Sequence, residues 1–160
     1  MAHVFGGLKV GFQEERFYAP QGLYSLARIY EKTIEVFFSR RYNSPFHVKL
    51  KHDDIEIEVV VIGDLDKDYK TSKLPMRQYI FSWVNGTKTI EHGTHVRGLQ
   101  NALKAANWNP EMILIHVIMH DPIFAGPTGT KLDVPHVTKV VRTALKDLLC
   151  THRERDKIRS

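Results

Sequence analysis

Cysteine is almost missing from this chain: Cys150 is the sole example in 160 residues. An intrachain disulfide is therefore impossible, which excludes a disulfide scaffold and fits a reducing compartment. Long apolar runs are missing too. The longest aliphatic stretch, Val59 to Ile62, is far below the ~20 residues that cross a bilayer as a helix. The first residues, Met-Ala-His-Val-Phe-Gly-Gly, lack the charged start and apolar stretch of a signal peptide. Asn85-Gly86-Thr87 matches a glycosylation sequon, which has no meaning inside a cell. Internal repeats and low-complexity tracts are absent. A soluble, cytoplasmic protein with no membrane partner is expected.

Hydrophobic residues make up 42%, enough for a core and too many for a disordered chain, and the length suits one domain. Lys and Arg number 23 against 18 Asp and Glu, a net +5. That balance suits a polyanion nearby without requiring one.

Leu8 to Phe12 alternates like a short strand. After Pro20, residues Leu23, Leu26, Ala27, Tyr30, Ile34, Phe37 and Phe38 recur at helical spacing until Asn43-Ser44-Pro45 breaks them. Val48 and Leu50, then Ile55, Ile57, Val59 and Val61, alternate with charge around Asp53-Asp54, which predicts a hairpin with one wet face. Gly63 to Pro75 reads as a polar loop, with Asp64-Leu65-Asp66 as solvated turn residues. Tyr79 to Val84 predicts a central strand, and Thr94 a cap for a helix carrying Val96, Leu99, Ala102, Leu103 and Ala106. Ile113 to Met119 predicts a strand buried on both faces. A loop from Asp121 to Leu132 then leads to a last helix, with Asp133 as its cap and Pro135 in its first turn. The order β-α-ββ-β-α-β-α predicts an α+β domain with helices mainly on one face of a sheet. The expected folded core spans about residues 7–149, with 150–160 a basic helix end or tail.

Two segments carry more than fold class. Asn85-Gly86-Thr87-Lys88-Thr89-Ile90-Glu91-His92-Gly93-Thr94-His95-Val96 resembles the N-G-x-x-T-x-E-G-G-T-H signature in the transducer domain of type IIA DNA topoisomerase ATPase subunits. That family includes gyrase B and its topoisomerase IV counterpart, and His92 stands where the signature has a glycine. Asp121-Pro122-Ile123-Phe124-Ala125-Gly126-Pro127-Thr128-Gly129-Thr130-Lys131-Leu132 is similar to the family loop P-x-F-x-G-Q-T-K-T-K-L. Gly7-Leu8-Lys9-Val10, Glu15-Arg16-Phe17 and Gly22-Leu23 resemble the first transducer strand and helix, so the likeness covers nearly the whole chain.

The resemblance implies the fold of the second domain of ribosomal protein S5: a mixed sheet with a left-handed βαβ crossover, against the usual hand. It implies a single transducer-like domain within a larger ATPase chain, lying after an ATP-binding domain and before a metal-binding domain, dimeric and paired with a DNA-cleaving partner. ATP and magnesium would then belong to that parent, and none to this domain alone. In the family the loop's Gln and Lys reach the ATP site, where a cation stabilises the γ-phosphate. Aligned without a gap, those positions fall on Pro127 and Gly129, with the threonine kept at Thr128. Lys131 matches the family's second lysine and is read as structural or solvent-facing. The segment is not a phosphate-cradling Walker loop either, because Thr130 and Leu132 flank Lys131 where Gly and Ser or Thr are needed.

No catalytic residue is expected in this chain alone, and Cys150, on the apolar side of the last helix, reads as an inert thiol. No metal site is expected: His116 and His120 lie about 13 Å apart along a strand, and His92 and His95 have no ligand cluster beside them. His95 is expected to hydrogen-bond inside the strand-helix connection. Lys139, Arg142 and Lys146 fall on one helix face. Taken alone this is a solvated face. Under the resemblance it would contact the phosphates of double-stranded DNA, together with Arg40, Arg41, Lys49 and Lys51. Three functions stay open: a relay between ATP hydrolysis and DNA gating, a stand-alone non-enzymatic module binding DNA or a topoisomerase subunit, and an RNA-binding domain. The last is the weakest, for want of an aromatic and basic stacking surface.

Overall fold

A computed structural model describes residues 9–12, 15–18, 22–33, 45–68 and 77–159. Its elements run β1 (Lys9–Phe12), β2 (Glu15–Tyr18), α1 (Leu23–Thr33), β3 (Phe46–His52), β4 (Ile55–Ile62), α2 (Leu65–Asp68), β5 (Tyr79–Val84), β6 (Thr87–Lys88), α3 (Thr94–Ala105), β7 (Met112–Ile118), β8 (Phe124–Ala125), β9 (Lys131–Leu132) and α4 (Pro135–Arg159). The class is α+β. Ile34, Phe37, Phe38, Arg40 and Arg41 lie outside the described residues.

The main sheet has the order β3-β4-β7-β5-β6, and β1-β2 and β8-β9 form separate two-stranded ribbons. It is mixed: β7 pairs antiparallel with β4 and parallel with β5. A parallel neighbour requires a crossover, and α3 supplies it. Asp53 and Asp54 both hold positive φ, 47° and 60°, the backbone that lets a two-residue turn follow the twist of β3 and β4.

Alternation divides the core in two. Ile57, Val59, Val61, Ile113, Ile115 and Val117 face α3 and α4. Val60, Ile62, Met112, Leu114 and Trp83 face α1, through Leu23 and Ala27. Helices therefore cover both faces, the two long ones sharing a face and α1 taking the other. The wet face expected for the β3–β4 hairpin holds at His47, Lys49, Lys51 and Glu56 but fails from Glu58 onward on β4. Glu58 is buried because its carboxylate accepts the backbone N–H of Leu23 at 3.1 Å, at the start of α1, and meets His47 at 3.1 Å. A helix N-terminus suits a buried carboxylate.

Asn107, at φ 51°, ends α3. The N–H of Asn107 donates to Lys104 and that of Trp108 to Leu103, the paired C-terminal cap that a left-handed residue allows. Pro135 opens α4 as expected. Asp133 is not at its capping position, which falls on Val134 because the helix starts at Pro135; the Asp133 N–H donates to the Ile123 carbonyl at 2.8 Å.

One expectation fails at the far end of the molecule. Asp64 is not a solvated turn residue; it is 1% exposed and ion-paired with Arg153 of α4 at 2.5 Å. Of the two alternatives for residues 150–160, a basic helix end or a tail, the helix end holds through Arg159: α4 continues there, with Arg153 and Asp156 buried. Charge spacing along the chain cannot reveal a partner 89 residues away (153 less 64). Among the described residues, no helix is long and apolar enough to cross a membrane.

Candidate functional site

The strand-helix connection is built from special backbone positions. Asn85 and Gly86, at φ 48° and 82°, turn β5 into β6. The Asn85 amide also clamps the end of β7, donating to the Met119 carbonyl and accepting its N–H, both at 2.9 Å. His92 holds φ 61°, which explains why a glycine suits that place in the family signature. Gly93 at φ 132° lies so close to Leu132 that a Cβ would fall on its backbone. Thr94 is not the cap: Gly93 precedes α3 without a side-chain capping bond. Instead the Thr94 hydroxyl accepts the Val134 N–H at 3.4 Å, and its carbonyl accepts the Thr138 hydroxyl at 3.0 Å.

The second segment folds directly onto the first. The Leu132 N–H donates to the His92 carbonyl at 2.9 Å, and Leu132 bridges Gly93. Glu91 accepts the hydroxyls of Thr128 at 2.8 Å and Thr130 at 3.3 Å. Gly126, at φ 91°, leaves room for that carboxylate, which a Cβ there would strike. The two motifs thus form one junction at the end of the molecule where α3 and α4 begin. Ile90, Ile123 and Phe124 are exposed around it. Pro127, Thr128, Gly129 and Lys131 are all exposed. Gly129 holds φ 62°, with open space where a side chain would grow.

Beneath the junction runs a buried polar network. The Ser82 hydroxyl donates to the Thr89 carbonyl at 3.0 Å and also meets the Thr89 hydroxyl at 2.6 Å and His92 Nδ1 at 2.8 Å. Thr89 Oγ1 lies 3.3 Å from Nε2 of His95, the expected bond within the connection. His95 is fully buried, and its Nδ1 finds no hydrogen-bond partner. Burial first, then the neighbouring His92 and His116, lowers its pKa from 6.5 to about 3. Burial lowers His92 as well. His116, also buried, accepts the Gly86 N–H at 3.0 Å. The Ser82–His92 contact is no nucleophile-base pair, because Ser82 is 1% exposed and committed to Thr89. Among the described residues, no group of three His, Cys, Asp or Glu could hold a metal ion.

Lys139, Arg142 and Lys146 are exposed on α4. Lys49 and Lys51 do not join them. Phe46, Val48 and Leu50 of β3 pack in the core shared with α3 and α4, so strand alternation turns Lys49 and Lys51 to the opposite face. Lys51 there pairs with Asp54 at 3.6 Å. Ser82, Thr138 and Gly98 are junction and packing residues that sequence reasoning passed over. The one local signal was Ser82, a small polar residue in an otherwise aromatic and β-branched strand.

The architecture is an α+β domain with a mixed five-stranded sheet, and solved structures share it. No protein-family model matches the chain, and no curated protein does. The DNA gyrase B chain from Myxococcus xanthus matches 94% of this chain with a TM-score of 0.71 at 19% identity. The topoisomerase IV ATP-binding domain of Francisella tularensis, solved with a small-molecule inhibitor, matches 89% with a TM-score of 0.63 at 21% identity. The 43K ATPase domain of Thermus thermophilus gyrase B, bound to an aminocoumarin, matches 99% with a TM-score of 0.60 at 21% identity. This chain spans 52%, 42% and 49% of those three chains, about half of each. The chain has the fold of part of the ATPase region of gyrase B and topoisomerase IV.

Proposed function

We propose that this chain is a transducer domain of a type IIA topoisomerase ATPase subunit, relaying the state of a neighbouring ATP-binding domain to the passage of duplex DNA. The supporting observation is the junction itself. Two segments that resemble the family's signatures, about 35 residues apart, are joined through Glu91–Thr128, Glu91–Thr130 and Gly93–Leu132. Exposed Ile90, Ile123 and Phe124 ring that junction, and apolar side chains left outside a core mark contact surfaces. On this proposal they meet the ATP-binding domain. ATP and magnesium bind there, and the sheet carries the left-handed crossover of ribosomal protein S5 domain 2. The parent is cytoplasmic and dimeric, works with a DNA-cleaving partner, and carries a metal-binding domain beyond this one. Lys139, Arg142 and Lys146 face the DNA, without Lys49 and Lys51.

The test is DNA-stimulated ATP hydrolysis by the parent enzyme. Ile90→Glu with Phe124→Glu should cut stimulation at least ~10-fold, since a relay needs a contact that differs between two states. Unchanged stimulation would reject the relay.

A stand-alone, non-enzymatic DNA-binding module is favoured by one feature. Pro127 and Gly129 stand where the family loop has its Gln and Lys, so the only cation this loop offers is Lys131. The isolated chain should show no ATP binding by calorimetry under either reading, so the readout that separates them is DNA-stimulated ATP hydrolysis by a parent chain, which only the relay predicts.

A further inference from the structure

The aliphatic stripe of α4 stops at Leu149. Val137, Val140, Val141, Leu145 and Leu149 enter the core, with Cys150 packed at its margin. Beyond them no aliphatic side chain is buried: Ile158 is 86% exposed, and the buried positions are Arg153 and Asp156.

This last part of the helix is nonetheless seated, by polar and aromatic contacts. Arg153 pairs with Asp64 and lies 5.9 Å from the ring centre of Trp108. His152 stacks on Trp108 at 5.5 Å, meets Phe46 edge-on at 5.3 Å, and lies 3.4 Å from Asp156. Trp108 is itself held by its indole N–H donating to the Gly63 carbonyl at 2.8 Å. A buried ion pair roughly breaks even against the desolvation of its charges, whereas apolar burial is a net gain. Residues 135–150 are thus held mainly by apolar burial, and residues 151–159 mainly by the ionic and aromatic contacts of His152, Arg153 and Asp156. Segments with little apolar burial open first in native proteins.

We propose that residues 151–159 of α4 are a latch-held unit: they undock from Trp108 and the β4–α2 turn in one step, while residues 135–150 stay on the sheet. Loss of the Asp64–Arg153 pair is the release. The latch holds whether or not the topoisomerase function is correct, because it rests only on α4 and its seat.

Native-state hydrogen exchange on the 160-residue chain tests this. Amides of residues 152–157 should share one opening equilibrium with a shallow denaturant dependence, and exchange at least ~100-fold faster than those of 138–149. Rates that rise residue by residue toward Arg159 would mean ordinary end fraying and overturn the proposal. Protection equal to that of 138–149 would overturn it too. Asp64→Asn should speed exchange across 152–157 together, on the order of 100-fold, by leaving Arg153 buried and unpaired. Amides of 138–149 should change less than about threefold. The neutral pair Asp64→Asn with Arg153→Gln, which strands no charge, should recover part of the loss. An equal change in both parts of α4, or no recovery, would reject the latch. The wild-type pattern decides alone if the single variant fails to fold.

Discussion

A Cβ at Gly93 would fall on the backbone of Leu132 at φ 132°, whereas one at Gly129 would enter open space at φ 62°. Gly93→Ala should therefore cost about 3 kcal/mol or more, since backbone, not a flexible side-chain tip, must move. Gly129→Ala should cost about 1 kcal/mol, the left-handed backbone penalty alone. Urea unfolding midpoints of the two variants check the order. His95 sets a pH dependence with a definite sign. Its pKa is about 3 in the fold against an ordinary 6.5, so the unfolded chain takes the proton first. Stability is full above pH 6.5 and falls between there and about pH 3, by up to about 1.4 kcal/mol per unit. Burial of His92 adds to the same sign. In His95→Gln, unfolding measured from pH 7 to 4 should show a shallower slope; an unchanged slope would assign the effect to other groups.

The contact between α3 and α4 depends on the absence of a side chain at Gly98. A Cβ there would lie 2.6 Å from the Thr138 carbonyl and 2.8 Å from the Val141 Cβ. Alanine is the better helix former by about 1 kcal/mol. Gly98→Ala should still destabilise by about 1–3 kcal/mol, because two helix backbones must separate. Thermal unfolding reads the sign directly, and a stabilised variant would show that the helices are free to shift. The elements themselves were readable from periodicity: α3, β7 and the β3–β4 hairpin fall where apolar spacing and Asp53-Asp54 put them. The faces were less so. Glu58 reads as the wet side of a hairpin until α1 docks its N-terminus on that carboxylate.

At the scale of the whole molecule, basic residues close in sequence or similar in pattern are sorted by the layers. Lys139, Arg142 and Lys146 share the outer face of α4, while Lys49 and Lys51 lie on the other side of the sheet. Binding of duplex DNA by the isolated chain should be weak, independent of sequence, and fall with salt with a logarithmic slope of about −3 for three phosphate contacts. Replacing all three by Glu should abolish it without unfolding the domain. Undiminished binding by that variant, measured by fluorescence anisotropy, would place the DNA surface elsewhere.

The sequence by itself determined the α+β class, the succession of the principal elements and the two motif segments, since periodicity, turn residues and short signatures are local in the chain. It also marked Gly93 and His95 as part of one connection. Only the tertiary structure decided that Glu91 holds the loop through Thr128 and Thr130, that Ser82 and Thr89 sit beneath it, and that Asp64 is buried against Arg153. The contacts of Glu91 with Thr128 and Thr130, and of Asp64 with Arg153, join residues far apart in sequence. Whether a charge meets water or a partner depends on what the packed layers bring to it, and no spacing along one strand or helix records that.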